Sequence, residues 1–201
     1  MKNIVIIGAG DLGKEIVWLI EDINKQCPTY VILGFLDDDS SKNAQEFFGY
    51  KVLGTTEYLD TLSVSTPVSA VIAIQDGATR RAIVEAHPHF SHWETIIHPM
   101  AVIAPESTLG EGSVLFPRVT VSVGTIIGRC SLLYINSTIC NDCVIGDFTS
   151  IMTGTVVSEH SDIASGSFVP AGFCVTPHSS FPCDDSLITN LPSPEEKEGN
   201  Q

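Results

Sequence analysis

Up to about residue 92, short apolar runs alternate with segments whose apolar residues recur at helical spacing. The runs at 3–8 (NIVIIG), 30–39 (YVILGFLDDD) and 69–76 (SAVIAIQD) predict buried strands, and residues 9–23 and 77–90 predict helices. Strands that alternate with helices are typical of parallel βαβ units. The sequence therefore predicts a small α/β domain built on a parallel sheet.

The pattern changes after about residue 95, where an aliphatic residue occupies every sixth position without insertion. The aliphatic column consists of Ile97, Ile103, Leu109, Leu115, Val121, Ile127, Leu133, Ile139, Ile145, Ile151, Val157, Ile163, Val169 and Val175. A second column, mostly of small residues, lies four places after the first, from Ala101 to Phe173. A period of six predicts a solenoid with three flat faces and eighteen residues per coil, because neither a helix nor an ordinary sheet has that repeat.

A C-x-x-C sequence, Cys140 to Cys143, lies inside this repeat. The spacing occurs in metal sites and in redox dithiols. Cys143, however, falls in the column of small inward residues, at the position equivalent to Ser137 and Thr149. The repeat therefore favours a buried small residue and an incidental thiol, and we predict no metal site.

Several stretches follow one another in an order that resembles one family. They are IVIIGAGDLGKEIVWLI, GFLDDD, KVLGTTEYL, AIQDGATRRAI, IIHPMAVIAPESTLGEGSVL, NDCVIGDFTSI and DDSLITNLPS. This ordered set resembles the bacterial sugar O- and N-acyltransferases of the sialic-acid and bacillosamine acetyltransferase group. The resemblance implies an acyltransferase of surface-polysaccharide or glycan biosynthesis that takes acetyl-CoA as acyl donor and a nucleotide-sugar as substrate.

The resemblance also implies the architecture. A small Rossmann-like domain that binds the nucleotide-sugar is expected at 1–92, and an all-β left-handed parallel β-helix at 93–180. A C-terminal extension with an acidic tail is expected at 181–201. The assembly implied by the family is a homotrimer with active sites between neighbouring subunits.

Charge and composition narrow the possible partners and the compartment. The formal net charge of −14 argues against nucleic acid and anionic membrane surfaces as partners. No apolar run is long enough to span a bilayer, so membrane insertion is not expected. Six cysteines without a secretory signal indicate reduced thiols. These features predict a cytoplasmic protein.

Gly8, Gly10 and Gly13 form a G-x-G-x-x-G sequence between the first strand and the first helix. Glycines at that turn let backbone N–H groups approach a phosphate or a ribose, while Asp37 and Asp38 end the second strand, where carboxylates accept from ribose hydroxyls. Taken alone, the motif also fits a NAD-linked oxidoreductase or a tight turn without ligand. The family resemblance favours the uridine or thymidine end of an activated sugar.

The candidate catalytic residues are Asn141, Asp142 and His160. The family typically has a histidine base in H-D-C-x-I-G, and here Asn141 stands in its place. An amide is not a useful proton acceptor, and a positioned base is worth about 10²–10⁴-fold in rate. His160 lies eighteen residues after Asp142, one coil further along, and is either a replacement base or a solvated corner residue.

Three functions remain open from the sequence. The first is N-acetylation by direct attack of a neutral amine, with Asn141 as a hydrogen-bonding group. The second is O-acetylation with His160 as base. The third is a catalytically degraded trimeric relative that binds nucleotide-sugar as a regulatory partner. Coenzyme A is rich in phosphate, yet the basic residues beyond residue 92 are Arg118, Arg129 and Lys197 alone, which adds weight to the third.

Overall fold

The computed structural model describes residues 1–181, which form an α/β domain followed by a β-helix. The elements of the first part are β1 (Lys2–Ile7), α1 (Asp11–Gln26), β2 (Tyr30–Leu36), β3 (Glu46–Phe47), β4 (Tyr50–Gly54), α2 (Tyr58–Ser65), β5 (Ser69–Ile72) and α3 (Gly77–Ala86). They form one five-stranded sheet of order β3-β4-β2-β1-β5. All neighbours in this sheet are parallel except the β3–β4 pair.

The predicted parallel sheet is confirmed, and its physical basis is the apolar run of β1. Ile4, Val5, Ile6 and Ile7 are fully buried because helices and loops cover both faces of the strand. The sequence patterns did not predict β3, β4 or α2. The two strands form a short hairpin and α2 has eight residues, so neither carries a long periodic signal.

Over residues 96–181, the β-helix contains fifteen two-residue strands, distributed over three five-stranded parallel sheets. Face I contains β6 (Ile96–Ile97), β9 (Val114–Leu115), β12 (Leu132–Leu133), β15 (Ser150–Ile151) and β18 (Phe168–Val169). Face II contains β7 (Val102–Ile103), β10 (Thr120–Val121), β13 (Thr138–Ile139), β16 (Val156–Val157) and β19 (Cys174–Val175). Face III contains β8 (Thr108–Leu109), β11 (Ile126–Ile127), β14 (Val144–Ile145), β17 (Asp162–Ile163) and β20 (Ser180–Phe181).

Residues of neighbouring strands in a face pair at a separation of eighteen positions, as Leu133 does with Ile151. The predicted coil length is therefore confirmed. The aliphatic column is buried from Leu115 to Val175, and its first three members are more exposed because no coil precedes theirs. The fold is a left-handed parallel β-helix.

The column of small residues supplies a ladder of hydroxyl hydrogen bonds inside the solenoid. A side chain of one coil donates to a carbonyl fifteen residues further on, as Ser113 Oγ does to Gly128 O at 2.9 Å and Thr155 Oγ1 to Pro170 O at 2.8 Å. Within the described part of the chain, the buried Ser137 Oγ has no hydrogen-bond partner. Hydroxyls fit this column because each can satisfy a carbonyl that turns inward at a corner.

The N-terminal domain packs on face I. Ile96, Val114 and Leu132, whose side chains point outward from this face, are fully buried. At the corner between faces I and II, the buried His98 ring contacts α1. Its Nδ1 accepts from the Met100 N–H at 3.0 Å, so the proton resides on Nε2, which donates to Asp22 Oδ2 at 2.8 Å.

At the corner between faces III and I, the N-terminus of α3 lies against backbone. A Cβ atom added to Gly77 would lie 2.3 Å from the carbonyl oxygen of Phe148. Residues 92–94 also pair with β5, and the first coil strand begins at Ile96. The α/β domain is therefore attached to the β-helix along one face and both of its corners.

The acidic tail predicted at 181–201 and the stretch DDSLITNLPS lie, apart from Phe181, outside the described residues. Within residues 1–181, the structure contains no helix that is both long enough and apolar enough to cross a membrane.

Candidate active site

A cleft of about 720 Å³ opens at the carboxyl ends of β1, β2 and β5. This edge of a parallel sheet is where open α/β folds bind ligands. Of the five residues that the sequence predicted to bind substrate, four line the cleft: Gly8, Gly10, Asp37 and Asp38. Its other walls are mostly apolar and include Leu12, Leu36, Ile74 and Ile83, together with the polar side chains of Lys42, Thr56, Gln75 and Thr79.

The glycines serve two different purposes. Gly8 has a φ of 106°, in the left-handed region, and an added Cβ would lie 2.7 Å from the Ala73 carbonyl oxygen. Gly13 is buried and does not line the cleft; a Cβ there would lie 2.4 Å from the Gly8 carbonyl oxygen. Gly13 therefore lets α1 approach the turn closely, and only the first two glycines face the space available to a ligand.

Asp37 holds the rim of the cleft together. Its carboxylate accepts from the Ala9 N–H at 2.8 Å, from the Asp39 N–H at 2.9 Å and from Lys42 Nζ at 2.8 Å. Burial raises the pKa of Asp37, but the hydrogen bonds from Lys42, Ala9 and Asp39 outweigh it, so the pKa is lowered overall. Asp38 accepts from both the N–H and the hydroxyl of Thr56.

Lys42 was missed by the sequence analysis. Its ammonium group is half-buried beside Asp37 and lines the cleft. Among the described residues it is the only Lys or Arg that lines the cleft, and it can donate a hydrogen bond to a phosphate or sugar oxygen. A single lysine in a short 3-10 turn, Ser40–Lys42, carries no motif that would have identified it.

The three candidate catalytic residues come together at the corner between faces II and III. We call it the II–III corner; it comprises residues 140–143 and the equivalent segments one coil away, 122–125, 158–161 and 176–179. Asp142, His160 and His178 occupy equivalent positions of successive coils, and the backbone of each is in the left-handed region, with φ of 54–55°. The His160 N–H donates to the Asn141 carbonyl at 3.1 Å and so fixes the register between the coils.

The side chains of the II–III corner are arranged as an open row. Asn141 Nδ2 donates to Asp142 Oδ2 at 2.8 Å, which leaves one amide N–H and Oδ1 free to meet a ligand. His160 Nδ1 lies 3.9 Å from Asp142 Oδ2, beyond hydrogen-bond distance, and its ring stacks on His178 with 4.9 Å between centroids. About half of the Asp142 and His160 side chains is exposed.

The two thiols of the C-x-x-C differ in environment. Cys143 is fully buried, as the repeat predicted, and its Sγ donates to the Ser158 carbonyl at 3.1 Å. Burial raises the pKa of both Cys140 and Cys143, which disfavours the thiolate needed for nucleophilic or metal-binding chemistry.

The cleft and the II–III corner lie on opposite sides of the chain. The N-terminal domain that carries the cleft packs on face I. In a triangular solenoid, the II–III corner is the one corner that does not border face I. The two halves of the predicted site therefore do not meet within one chain.

Residues 3–87 match the PglD N-terminal domain family. Among solved structures, the acetyltransferase domain of PglB from Neisseria gonorrhoeae FA1090 is 27% identical, with a TM-score of 0.78 over 90% of this chain and 85% of that one. The same domain in complex with acetyl coenzyme A is 28% identical, with a TM-score of 0.78 over 89% and 84%.

A more distant structure shares the fold. It is a histidine-to-alanine mutant of GDP-perosamine N-acetyl transferase from Caulobacter crescentus, in complex with CoA and GDP-perosamine. It is 22% identical, with a TM-score of 0.73 over 90% of this chain and 91% of that one. No curated protein matches the chain.

Proposed function

We propose that this chain, which belongs to the family of sugar acetyltransferases with a PglD-type N-terminal domain, N-acetylates a nucleotide-linked amino sugar with acetyl-CoA. The observation that carries the proposal is the similarity over most of the chain to an acetyltransferase domain whose structure contains acetyl coenzyme A. The cleft and the II–III corner, which carry the residues predicted to bind substrate and to act in catalysis, support the proposal as well.

Direct amine attack fits the residues of the II–III corner. The neutral amine forms a bond to the thioester carbonyl carbon, the carbon–sulfur bond breaks, and the sulfur leaves with its electron pair as coenzyme A thiolate. The nitrogen then loses a proton to solvent or to His160. Asn141 supplies one free N–H and an amide oxygen to orient the reactants, because its other N–H is engaged by Asp142.

His160 is the candidate base for a hydroxyl acceptor. A sugar hydroxyl is almost fully protonated at neutral pH, so its attack needs a proton acceptor at the moment the bond forms. His160 is half-exposed, and its Nδ1 lies 3.9 Å from Asp142, a distance that a modest side-chain rotation converts into a hydrogen bond. O-acetylation through His160 is therefore the close variant of the proposal.

We further propose a homotrimer in which the cleft of one chain and the II–III corner of a neighbour form one site. Support comes from the placement of the two half-sites on opposite sides of the chain. The outward side chains of faces II and III add to it, since Val102, Ile126, Val144 and Val156 are each more than a third exposed, although apolar.

A non-catalytic nucleotide-sugar-binding protein is the second candidate. It is favoured by one observation, the replacement of the family's histidine by Asn141, which removes the proton acceptor. The cleft would still bind nucleotide-sugar, because its walls do not involve the II–III corner.

The test is release of coenzyme A thiol from acetyl-CoA, followed with DTNB, against UDP- and dTDP-linked amino sugars and their hydroxyl counterparts. Blanks without sugar correct for the exposed Cys27 and Cys174. His160→Ala is compared with His89→Ala, an exposed histidine of the N-terminal domain.

Turnover on an amine that survives His160→Ala supports direct attack. Turnover that is lost in His160→Ala but not in His89→Ala assigns the base to His160. Absence of turnover on every sugar, with nucleotide binding retained, overturns the enzymatic proposal in favour of the binding protein.

A further inference from the structure

Arg80 is a buried cation whose donors are all engaged. It is 1% exposed, and it lies on α3 with its guanidinium group between the two domains. Nε donates to Cys130 O, Nη2 to Phe148 O and Thr149 O, and Nη1 to Ile74 O, Gln75 O and Ser150 Oγ, over distances of 2.6–3.1 Å.

Among residues 1–181, no carboxylate lies within ion-pair distance of Arg80, and Asp76 at the start of α3 acts on its charge only from further away. Within residues 1–181, none of the ion pairs includes Arg80, and its acceptors are five backbone carbonyls and one hydroxyl. Burial of an unpaired charge is costly, and apolar residues of similar volume stabilise a core at least as well. Since an apolar side chain would fill the space, the function of Arg80 is better explained by the directions of its hydrogen bonds.

Those directions join the cleft to the β-helix. Ile74 and Gln75 line the cleft, so two of the bonds hold its floor. The bonds to Cys130, Phe148 and Thr149 hold the corner between faces III and I. Ser150 Oγ also donates to Gln75 O at 2.8 Å, which adds a direct link between the same two parts.

A backbone contact near Arg80 joins the same two parts of the chain, the start of α3 and the corner between faces III and I. The closeness of Gly77 to the Phe148 carbonyl excludes any larger residue at the start of α3. Asp76 caps this helix by accepting from the Thr79 N–H at 2.7 Å. A second cavity of about 330 Å³, lined by Gln75, Gly77 and residues of β15 and β18, lies directly at this contact.

We propose that Arg80 is a positioning residue that fixes the orientation of the nucleotide cleft relative to the β-helix, so that the sugar reaches the II–III corner of a neighbouring subunit. This inference rests on the proposed function and deepens it. In a site built from two chains, a rotation of the N-terminal domain would move the bound sugar, and with it the acceptor amine, relative to the II–III corner of the neighbour. A displacement of about 1 Å can cost roughly 10²-fold in rate.

The test compares Arg80→Lys with Arg81→Lys, the same substitution at the next, exposed residue of α3. Arg81 lies over the Phe148 ring at 5.0 Å, and lysine keeps a cation there. Lysine keeps the charge but has one nitrogen in place of three. We expect Arg80→Lys to lower kcat on the active amino sugar about 10-fold or more. The Kd of the matching nucleoside diphosphate, measured by calorimetry, should change less than about 3-fold, because the glycine turn and Asp37, which we propose to bind the nucleotide, make no hydrogen bond with Arg80 within residues 1–181. Arg81→Lys should change neither quantity.

A second variant guards against a folding defect. Gly77→Ala keeps the arginine at position 80, but its added methyl group would push α3 away from the corner between faces III and I. We expect this variant to reproduce the loss of kcat with the nucleotide Kd retained. Equal kcat for Arg80→Lys and wild type, or parallel losses of kcat and nucleotide affinity, would overturn the positioning role.

A distance measurement tests the same inference without turnover. Nitroxide labels on the exposed Cys27 of the α/β domain and on Ala171→Cys, an exposed position at the corner between faces I and II, report the inter-domain distance by pulsed electron paramagnetic resonance. The background is Cys140→Ser with Cys174→Ser and Cys183→Ser, and labelled chain is diluted with unlabelled chain. Arg80→Lys should broaden the distance distribution and Arg81→Lys should not. An unchanged width in Arg80→Lys overturns the proposal, whether or not the wild type acetylates any sugar.

Discussion

At the scale of single residues, Asn141 lies in the position that decides between the proposed chemistries. Its side chain is held by Asp142 and leaves donor and acceptor atoms free, but it does not accept a proton. The residues around it retain the rest of the family's motif, Asp142, Cys143, Ile145 and Gly146. Compared with the H-D-C-x-I-G motif that the family resemblance implies, the II–III corner therefore differs at one position, Asn141.

We predict that Asn141→His raises kcat/KM for a sugar hydroxyl acceptor by about 10-fold or more, because it restores a positioned base. The pH–rate profile should gain a limb near the ordinary histidine pKa of about 6.5. Asn136→His, on the corner between faces I and II, is the matched control and should have no effect. An unchanged hydroxyl rate in Asn141→His would show that position 141 does not contact the acceptor.

Asp37 allows a second prediction at this scale, on the pH dependence of stability. Because its pKa is lowered in the folded chain, it contributes stability that is present above its unfolded pKa of about 3.9 and is lost as pH falls through the folded value. Asp37→Asn removes the charge-assisted bonds from Lys42 and the backbone. We expect a loss of about 1–3 kcal/mol at pH 7.

The same variant should differ less from the wild type as the pH falls through this window. Urea denaturation from pH 7 down to pH 3 measures the difference. A gap between Asp37→Asn and wild type that stays constant over this range would contradict the assigned coupling.

At the scale of elements, the repeat explains why the β-helix was predictable and the α/β domain only partly so. A single six-residue period determines where each strand, each corner and each inward side chain lies. The fourteen aliphatic positions were therefore enough to place the coils from the sequence alone. The hairpin of β3 and β4 has no such redundancy. Lys42 and Arg80 act through tertiary contacts, and Arg80 was visible only as part of the stretch AIQDGATRRAI, without a role.

The hydroxyl ladder gives a prediction with an internal control. Ser113 and Ser137 occupy the same inward column and are both fully buried, but only Ser113 Oγ has a partner. Ser113→Ala should cost about 1 kcal/mol, because it leaves the Gly128 carbonyl short of a donor. Ser137→Ala should be neutral or slightly stabilising. Denaturation midpoints at one protein concentration compare the two, and equal losses would contradict the ladder.

At the scale of the whole molecule, the N-terminal domain covers face I and leaves the II–III corner on the far side. Under the proposed function, a single chain is therefore incomplete as a catalyst. The sequence predicted both half-sites but not their separation, since separation depends on which face the N-terminal domain covers. That choice is made by contacts such as His98 with Asp22 and Gly77 with Phe148.

A shared site predicts complementation between two inactive chains. Gly10→Leu should fill the cleft, because nothing lies within 4 Å of a Cβ at that position, and Asn141→Ala with His160→Ala should disable the corner. Hybrid trimers formed by refolding the two chains in equal amounts should recover roughly a quarter of wild-type sites. No recovery, with trimers confirmed by light scattering, would show that cleft and corner act within one chain.

The eighteen-residue register also limits how this protein can change in length. A single inserted or deleted residue would turn every later side chain of the solenoid to the wrong face, so tolerated variation should come in whole coils. The stretch 130–150 contains both Asn141 with Asp142 and the β-helix carbonyls that bind Arg80, and the first coil carries His98, which binds Asp22 of α1. Duplication or loss of a coil is therefore compatible with the proposed acetyl transfer only C-terminal to β18, where the described coils carry neither the proposed chemistry nor the attachment of the cleft.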